Sequence, residues 1–304
     1  MAQQKELNWL EFQQKFSSEQ ACRDYLFKMR WPNGFQCPMC SHSRAYVIAS
    51  RHLFECAQCG YQTSVTAGTI MHKTRTSLLV WFWAIYLVSN DKRGTSANQI
   101  SKQFGISYPT AWLMLHKIRK AMGDRDARYM LAGIVEMDDA LFGAPNEGGK
   151  RGRGSDKIKA VASLSITETG TPRYLKMHVI EDLKASTLSE IAKKTIAPKT
   201  IVSTDLFRSY NQLGKDGYIH FSQEFNYRED PGHLKWLHTV IGNAKAFITG
   251  TYHGLDAKHM QTYLNEYCYR FNRRHFEGQL FNRLLNACVS ACTVTYNELV
   301  AGLY

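Results

Sequence analysis

Four cysteines constrain this chain more than any other feature. Cys37-Pro-Met-Cys40 and Cys56-Ala-Gln-Cys59 form two Cys-x-x-Cys knuckles separated by 15 residues. Each knuckle bends the backbone so that two sulfurs meet one ion, and the paired spacing is that of a four-thiolate zinc site. Phe35 before the first knuckle and Gly60 after the second suit a zinc ribbon. The alternative, four reduced core cysteines, has to produce that spacing by coincidence. A closed four-thiolate site leaves no open coordination position, so Zn2+ here is structural and does no chemistry. His42 and His52 lie nearby and read as surface or DNA-facing histidines, because four thiolates already complete the set. Cys22, Cys268, Cys288 and Cys292 are scattered, as buried thiols are, and do not make a disulfide scaffold.

The chain has 304 residues and a formal net charge of +12. That length supports about two or three domains. With 44% hydrophobic and 21% charged residues it is globular rather than disordered. The longest apolar stretch, Leu78 to Val88, falls short of the roughly 20 residues that cross a bilayer. The polar N-terminus carries Glu6 and Glu11 and lacks the pattern of a secretion signal. The expectation is a protein of a reducing, cytoplasmic compartment with no membrane partner. The positive surplus then points to a polyanion, nucleic acid above all.

Changes of pattern suggest five segments. Residues 1–30 read as a helical lead-in, broken at Trp31-Pro32-Asn33-Gly34, and residues 31–70 as the four-cysteine zinc ribbon. Residues 71–128 read as helical, residues 129–280 as a mixed α/β domain, and residues 281–304 as a helical tail. Within the α/β segment, GIVEMDDALF, KIKAVASLSIT, PRYLKMHVIE and TIVSTD are strand-like, with a crossover helix from Lys184 to Ile196. The fold class is multidomain α+β: a zinc ribbon and helical N-terminal region, then an α/β domain with a mixed sheet.

Ser96 to Arg119 has two helical stretches around Gly105, the pattern of a helix-turn-helix. Its second helix would bury Trp112, Leu115 and Ile118 and present Tyr108, Thr110 and Ala111 to base edges, with Lys117, Arg119 and Lys120 on phosphates. A helical hairpin in a core gives the same pattern.

Phosphoryl chemistry on nucleic acid uses carboxylates on a rigid sheet to hold two Mg2+ or Mn2+ ions about the scissile phosphate. Gly133-Ile-Val-Glu-Met-Asp138-Asp139 and Thr200-Ile-Val-Ser-Thr-Asp205 each end an apolar run on acid. An acid at the end of a buried strand is costly unless it is paired or metal-bound. Strand alternation leaves open whether Asp138 or Asp139 is the relevant acid of the first run.

With the CPMC and CAQC knuckles, AGTIMHKTRTSLLVWFWAIYLV, the helix-turn-helix, GIVEMDDALFG, KRGRGSDK, STDLFRSY, HTVIGNAKAFITGTYHG and YLNEYCYRFNRR in order, the chain resembles a family of insertion-sequence transposases. That family joins an N-terminal zinc ribbon to an RNase H-like catalytic domain of the DDE superfamily. The resemblance covers about residues 20–280. It implies Asp138 as the first catalytic aspartate, following Val-Glu-x, and Asp205 as the second, in a Thr-Asp pair. Asp139 stays as the second choice.

At the third acidic position the sequence departs from the usual glutamate. Asn243, with Lys245 two residues on, resembles the branch in which asparagine replaces it. Asn243 would then be a third Mg2+ ligand without charge and Lys245 a counter-charge to phosphate. The alternative is that Asn243 caps a helix and Lys245 is solvated. Glu224, Asp230 and Glu266 are other candidates for the third acid. Lys150, Arg151, Arg153 and Lys157 form a basic loop suited to a DNA backbone, or else a solvated hairpin. Arg273 and Arg274, with Arg270, bind either phosphate or a neighbouring acid. The Tyr263, Tyr267 and Phe271 stripe reads as core.

The family resemblance implies a DNA transposase of a prokaryotic cell, associated with the nucleoid. It would bind terminal inverted repeats, cut and join strands with Mg2+ or Mn2+, and act as a homodimer or larger synaptic complex. A non-catalytic DNA-binding regulator and a nuclease without strand transfer are the rival readings.

Overall fold

A computed structural model of the chain describes residues 7–143, 148, 150, 152–224, 230, 232–276 and 278–302; Arg151 of the basic loop lies outside them. The chain divides into two compact units, Met1–Arg125 with Phe276–Tyr304, and Asp126–His275. No helix among the described residues is long and apolar enough to cross a membrane.

The first unit begins with α1 (Trp9–Lys15) and α2 (Glu19–Arg30). Asn8 and Glu11 close a capping box on α1, and Ser18 caps α2, so both starts are fixed by side chains that take orphan backbone N–H groups. The ribbon follows as a three-stranded antiparallel sheet of β1 (Ala45–Ile48), β2 (Leu53–Cys56) and β3 (Gln62–Thr63). Phe54 of β2 meets Phe27, Trp31 and Phe35, which joins the ribbon to the end of α2 through aromatic contacts. Next come α3 (Leu78–Asn90), α4 (Ala97–Phe104) and α5 (Tyr108–Asp126). The apolar run recognised in the sequence is α3, which buries Trp81, Phe82, Ile85 and Val88 inside the unit.

The second unit is a sheet of five strands: β4 (Ile134–Phe142), β5 (Ile158–Ile166), β6 (Pro172–Ile180), β7 (Ile201–Thr204) and β8 (Ile219–Ser222). The order is β6-β5-β4-β7-β8, antiparallel across the first three and parallel from β4 to β8. A parallel neighbour needs a crossover, and α6 (Ala185–Thr195) supplies it between β6 and β7. The short α7 (Gln212–Lys215) precedes β8, and α8 (Lys235–Thr251) and α9 (Met260–Arg273) complete the unit.

Both faces of the sheet are covered. Ala140, Phe142, Ala162 and Leu164 pack under Leu237, Ile241, Ala244 and Leu264 of α8 and α9. Val135, Met137, Val161 and Val202 pack against Leu188, Ala192, Tyr210 and Leu213 on the other side. Asn272 links α9 to β6, with its Oδ1 accepting from the Leu175 N–H at 2.7 Å and its Nδ2 donating to the Leu175 carbonyl at 2.9 Å.

The chain then returns to the first unit as α10 (Leu280–Ser290) and α11 (Tyr296–Ala301). Phe281 of α10 contacts Phe12, Phe16, Phe82 and Tyr86, so the segment read as a separate tail is part of the N-terminal aromatic core.

Candidate functional site

Each knuckle is closed by a backbone bond of its own. The Ser41 N–H donates to the Cys37 carbonyl, and the Gly60 N–H to the Cys56 carbonyl. The Sγ atoms stand 3.7 Å apart for Cys37–Cys59 and 3.5 Å for both Cys40–Cys56 and Cys40–Cys59. Four sulfurs at Zn–S distances of about 2.3 Å on a tetrahedron are separated by about 3.8 Å, so the group fits Zn2+. The Cys59 N–H and, after burial, the Gln58 N–H pull the Cys56 thiol down, while burial and the neighbouring thiols push those of Cys40 and Cys59 up, so the thiols share their charge as a set.

The acids gather at one end of the parallel pair. β4 and β7 are in register at Ile134↔Ile201, Val135↔Val202 and Glu136↔Ser203. Two residues beyond the last of these pairs, the same offset would bring Asp138 level with Asp205, which lies just past the end of β7. Along β4, Asp139 falls on the face opposite Asp138, with Val135 and Met137. Asp138 meets His238 and Asp139 meets Arg153, so both acids of the first run border the cluster.

One guanidinium ties the acids together. Arg153 Nη2 lies 2.6 Å from Asp205 Oδ2, 2.7 Å from Asp139 Oδ1 and 3.9 Å from Asp138 Oδ1. Its Nε donates to Asp139 Oδ1 at 2.8 Å, and its planar head lies 4.1 Å from the Phe207 ring centroid. Burial opposes the arginine's charge, but the hydrogen bonds to Asp139 and Asp205 outweigh it and raise its pKa. Burial also pushes the Asp139 carboxyl up, while the Arg153 hydrogen bond pulls against it. The Tyr210 hydroxyl is buried with no hydrogen-bond partner among the described residues, and after burial the charges of Asp138, Asp139 and Asp205 are the main influences on it.

An oxygen-rich, anionic set of this kind suits a hard divalent cation such as Mg2+ or Mn2+. Its atoms are spread around Arg153. Among the described residues, the four cysteines are the group of three or more metal-ligating side chains whose ligand atoms all lie within 4.8 Å of one another.

The first turn of α8 reaches this cluster. The Leu237 N–H donates to Glu136 Oε2 at 3.2 Å, and His238 Nε2 sits 3.0 Å from Asp138 Oδ2. Asn243 lies in the middle of α8, so it does not cap the helix, and it is exposed. At about 100° per residue Asn243 is about 140° around the axis from His238, whereas Lys245 returns to within about 20° of it, two turns on. The structure thus brings His238, rather than Asn243, to Asp138. Lys245 shares the His238 flank and is exposed.

The other candidates for a third acid are placed differently. Glu266 is buried against Tyr252 and Arg270. Asp230 accepts the Gly232 and His233 N–H groups in the turn before α8. Glu224 lines a cavity of about 490 Å3 with Arg153, Asp205, Leu206, Phe207 and Arg208.

Several residues read as DNA contacts are otherwise engaged. Arg119 is 2% exposed, and its Nη2 donates to the Thr95 carbonyl. Arg273 is buried, with Nη2 2.7 Å from Asp126 Oδ1. Arg274 donates to the Arg173 and Phe271 carbonyls at 3.1 and 2.7 Å, and also to the Pro172 carbonyl. These three arginines hold structure. Lys120 pairs with Asp124 at 2.5 Å, and burial lowers the Lys117 pKa. Ala111 is buried, but Tyr108 is 54% exposed at the start of α5, and Thr110 bonds Ser107 beside it. α4 and α5 are joined through Gly105 in the left-handed region, φ +62, the conformation its lack of Cβ allows. Lys150 and Arg153 are exposed and Lys157 is half-buried.

Residues 130–272 match the family described as ISXO2-like transposase domain, and residues 17–62 match the transposase zinc-ribbon domain. An uncharacterized transposase-like protein of Haemophilus influenzae is 27% identical over 104 residues, 34% of this chain and 84% of that protein. Among solved structures, the Mos1 transposase paired-end complex with left transposon end gives a TM-score of 0.22 at 10% identity, over 69% of this chain and 79% of that one. The Mos1 mariner paired end complex with Mn gives 0.22 at 11%, over 68% and 77%. Those two likenesses are too slight to bear on the fold or chemistry of this chain.

Proposed function

The chain belongs to the insertion-sequence transposases that join a zinc ribbon to a DDE-type domain, and on that premise we propose that it cuts and joins DNA strands at the Asp138–Asp205 site. In this reading, water cleaves a phosphodiester at the end of the element and leaves a 3′-hydroxyl. The same site then directs that hydroxyl onto a phosphodiester of target DNA. No covalent link to the protein is needed, and the acid end of an RNase H-like sheet is the platform.

The observation that best supports the proposal is the parallel pairing of β4 and β7, whose register, carried two residues past Glu136↔Ser203, aligns Asp138 with Asp205. Asp138 and Asp205 would hold Mg2+ or Mn2+ between them, with His238 as the third ligand in place of Asn243. Bound there, the cations would supply Lewis-acid stabilisation of phosphate charge and lower the pKa of water. Glu136 orients the first turn of α8 by accepting the Leu237 N–H, and so sets the place of His238. Lys245, on the same helix flank, is available to backbone phosphate.

The ribbon and the α4–α5 pair would read the terminal inverted repeats as a helix-turn-helix with Tyr108 and Thr110 leading. Lys150, Arg153 and Lys157 would hold phosphates near the site. Two DNA ends have to meet, so at least two copies are expected in the active complex.

The test is an assay with terminal-repeat duplex, Mg2+ and a target plasmid. Joined product is expected from the wild type, and Asp138→Asn and Asp205→Asn should lose cutting and joining while keeping end binding. Cut ends without joined product would make the protein a nuclease. Binding alone would make it a regulator, and nicking by both variants would end the assignment of these acids.

A further inference from the structure

We propose that Arg153 is a built-in counter-ion that occupies the acidic site until DNA arrives, so that DNA binding and divalent-metal loading are coupled through this one side chain. The inference rests on the reading of Asp138 and Asp205 as the metal-holding pair.

The geometry is competitive. Arg153 Nη2 is in hydrogen-bond contact with Asp205 Oδ2 and Asp139 Oδ1 and is 3.9 Å from Asp138 Oδ1. Asp205 Oδ1 already accepts the Phe207 N–H at 3.0 Å, so a cation held by Asp138 and Asp205 would compete with Arg153 for Asp205 Oδ2. Charge gives the same answer, because clustered carboxylates repel one another and one guanidinium relieves that repulsion. A dication relieves it more strongly, and the two cations repel each other. The acids are also spread around the guanidinium rather than converging on one point. Withdrawal of Arg153 therefore removes a competitor and also lets the carboxylates close.

Arg153 is placed so that it can leave. It sits on a single turn, Gly152–Gly154, in the connection between β4 and β5 rather than on either strand. Gly152 has φ +69, a conformation open to glycine at no steric cost. Sheet register is thus independent of this side chain. The arginine is 39% exposed, and its fork matches the two oxygens of a phosphodiester as well as it matches carboxylate. A DNA phosphate at the mouth of the site offers the guanidinium an anion to exchange for Asp139 and Asp205. The Phe207 ring under the guanidinium, which also lines the open cavity beside Asp205, keeps the planar head oriented toward that mouth.

The consequence is reciprocal linkage: DNA tightens metal binding, and metal tightens DNA binding by the same factor. Off DNA, the protein holds its catalytic cations weakly, which restrains cutting away from the element.

Binding of Mn2+ to the full-length, zinc-loaded protein without DNA tests this, read from the electron paramagnetic resonance of free Mn2+. Arg153→Gln and Arg153→Ala should each bind Mn2+ at least about 10-fold more tightly than the wild type, which corresponds to about 1.4 kcal/mol. A duplex oligonucleotide should tighten Mn2+ binding by the wild type and leave that of Arg153→Gln unchanged. Zinc content and thermal midpoint report that the variants are folded. Equal or weaker Mn2+ binding by both arginine variants overturns the proposal, and so does a duplex effect of the same size in Arg153→Gln. Asp138→Asn and Asp205→Asn separate the two levels. If they bind Mn2+ as the wild type does, the metal-site reading has failed. If they lose Mn2+ while the arginine variants gain nothing, only the counter-ion role has failed.

Discussion

Replacing Arg273 distinguishes a structural arginine from a DNA contact. Arg273 and Asp126 keep only 9% and 10% of their side-chain surface exposed and meet at 2.7 Å. Arg273 Nη1 also donates to the Tyr269 carbonyl at 3.1 Å, and its guanidinium lies 3.5 Å from the centre of the Tyr269 ring. In Arg273→Ala, Asp126 keeps the Asn272 Nδ2 donor at 3.0 Å but loses the guanidinium in contact with it, leaving Lys176 as the nearby positive charge. Removing one partner of a buried ion pair costs about 3–5 kcal/mol. Loss of the ring contact adds about 1 kcal/mol. For a unit the size of Asp126–His275, each kcal/mol lowers the midpoint by about 2–4 °C, so a fall of about 8–24 °C is expected.

Calorimetry measures that fall, and Asp126→Leu with Arg273→Met in one chain should recover most of it, since the buried charge is gone. Salt-dependent DNA binding, measured well below the midpoint, should keep its wild-type slope. A phosphate contact would instead reduce the slope by about 0.9 on loss of the arginine. An unchanged midpoint together with a shallower slope would refute the structural assignment.

His238→Ala should weaken Mn2+ binding by at least about 10-fold, whereas Asn243→Ala should leave it within error; titration of both variants checks this, and the opposite pattern would return Asn243 to the site. The second unit should also lose stability in mild acid. Burial, with the charges of Lys194 and Lys176, keeps the His178 pKa down at about 4. The folded value is below the unfolded one, so the unfolded state takes up the proton first, and stability falls as pH drops from about 6.5 to about 4. His178 is partly exposed, so the expected loss is about 1–2 kcal/mol rather than the full linkage value. Urea unfolding across that range should show a flatter pH profile in His178→Gln, and an unaltered profile would rule out His178 as the cause.

The parts of this molecule that were legible in the sequence are those set by local spacing. The cysteine knuckles needed no partner beyond 22 residues away, and the long strands β4, β5 and β6 follow Val- and Ile-rich runs. β8 was not foreseen, because Ile219–Ser222 is four residues long and its Ile219 and Phe221 are exposed rather than buried. Asp138 and Asp139 could not be told apart by alternation because both faces of β4 are covered, which removes the polar-apolar rhythm that alternation reads. What separates them is their partners, His238 for Asp138 and Arg153 for Asp139, which alternation along one strand does not report. His238 was hidden for a similar reason. Its place beside Asp138 depends on where α8 starts and on a partner 100 residues away.

The arginines show why net charge is a poor guide to binding surface. A charge of +12 for the chain counts Arg119 and Arg273 as fully as it counts Lys150. Yet a buried guanidinium held by Asp126 or a backbone carbonyl releases no counterion from DNA. An arginine and its buried partner are far apart in sequence, 147 residues for Arg273 and Asp126, so the sequence lists the charge without its acid. Among the residues read as phosphate contacts, Lys150, Arg153 and Lys245 are exposed and Lys157 is half-buried. Arg153 belongs to both accounts. Paired with Asp139 and Asp205 it is an internal counter-ion, and released from them it adds one cation to the surface that meets DNA, at the moment when the carboxylates it leaves become open to metal.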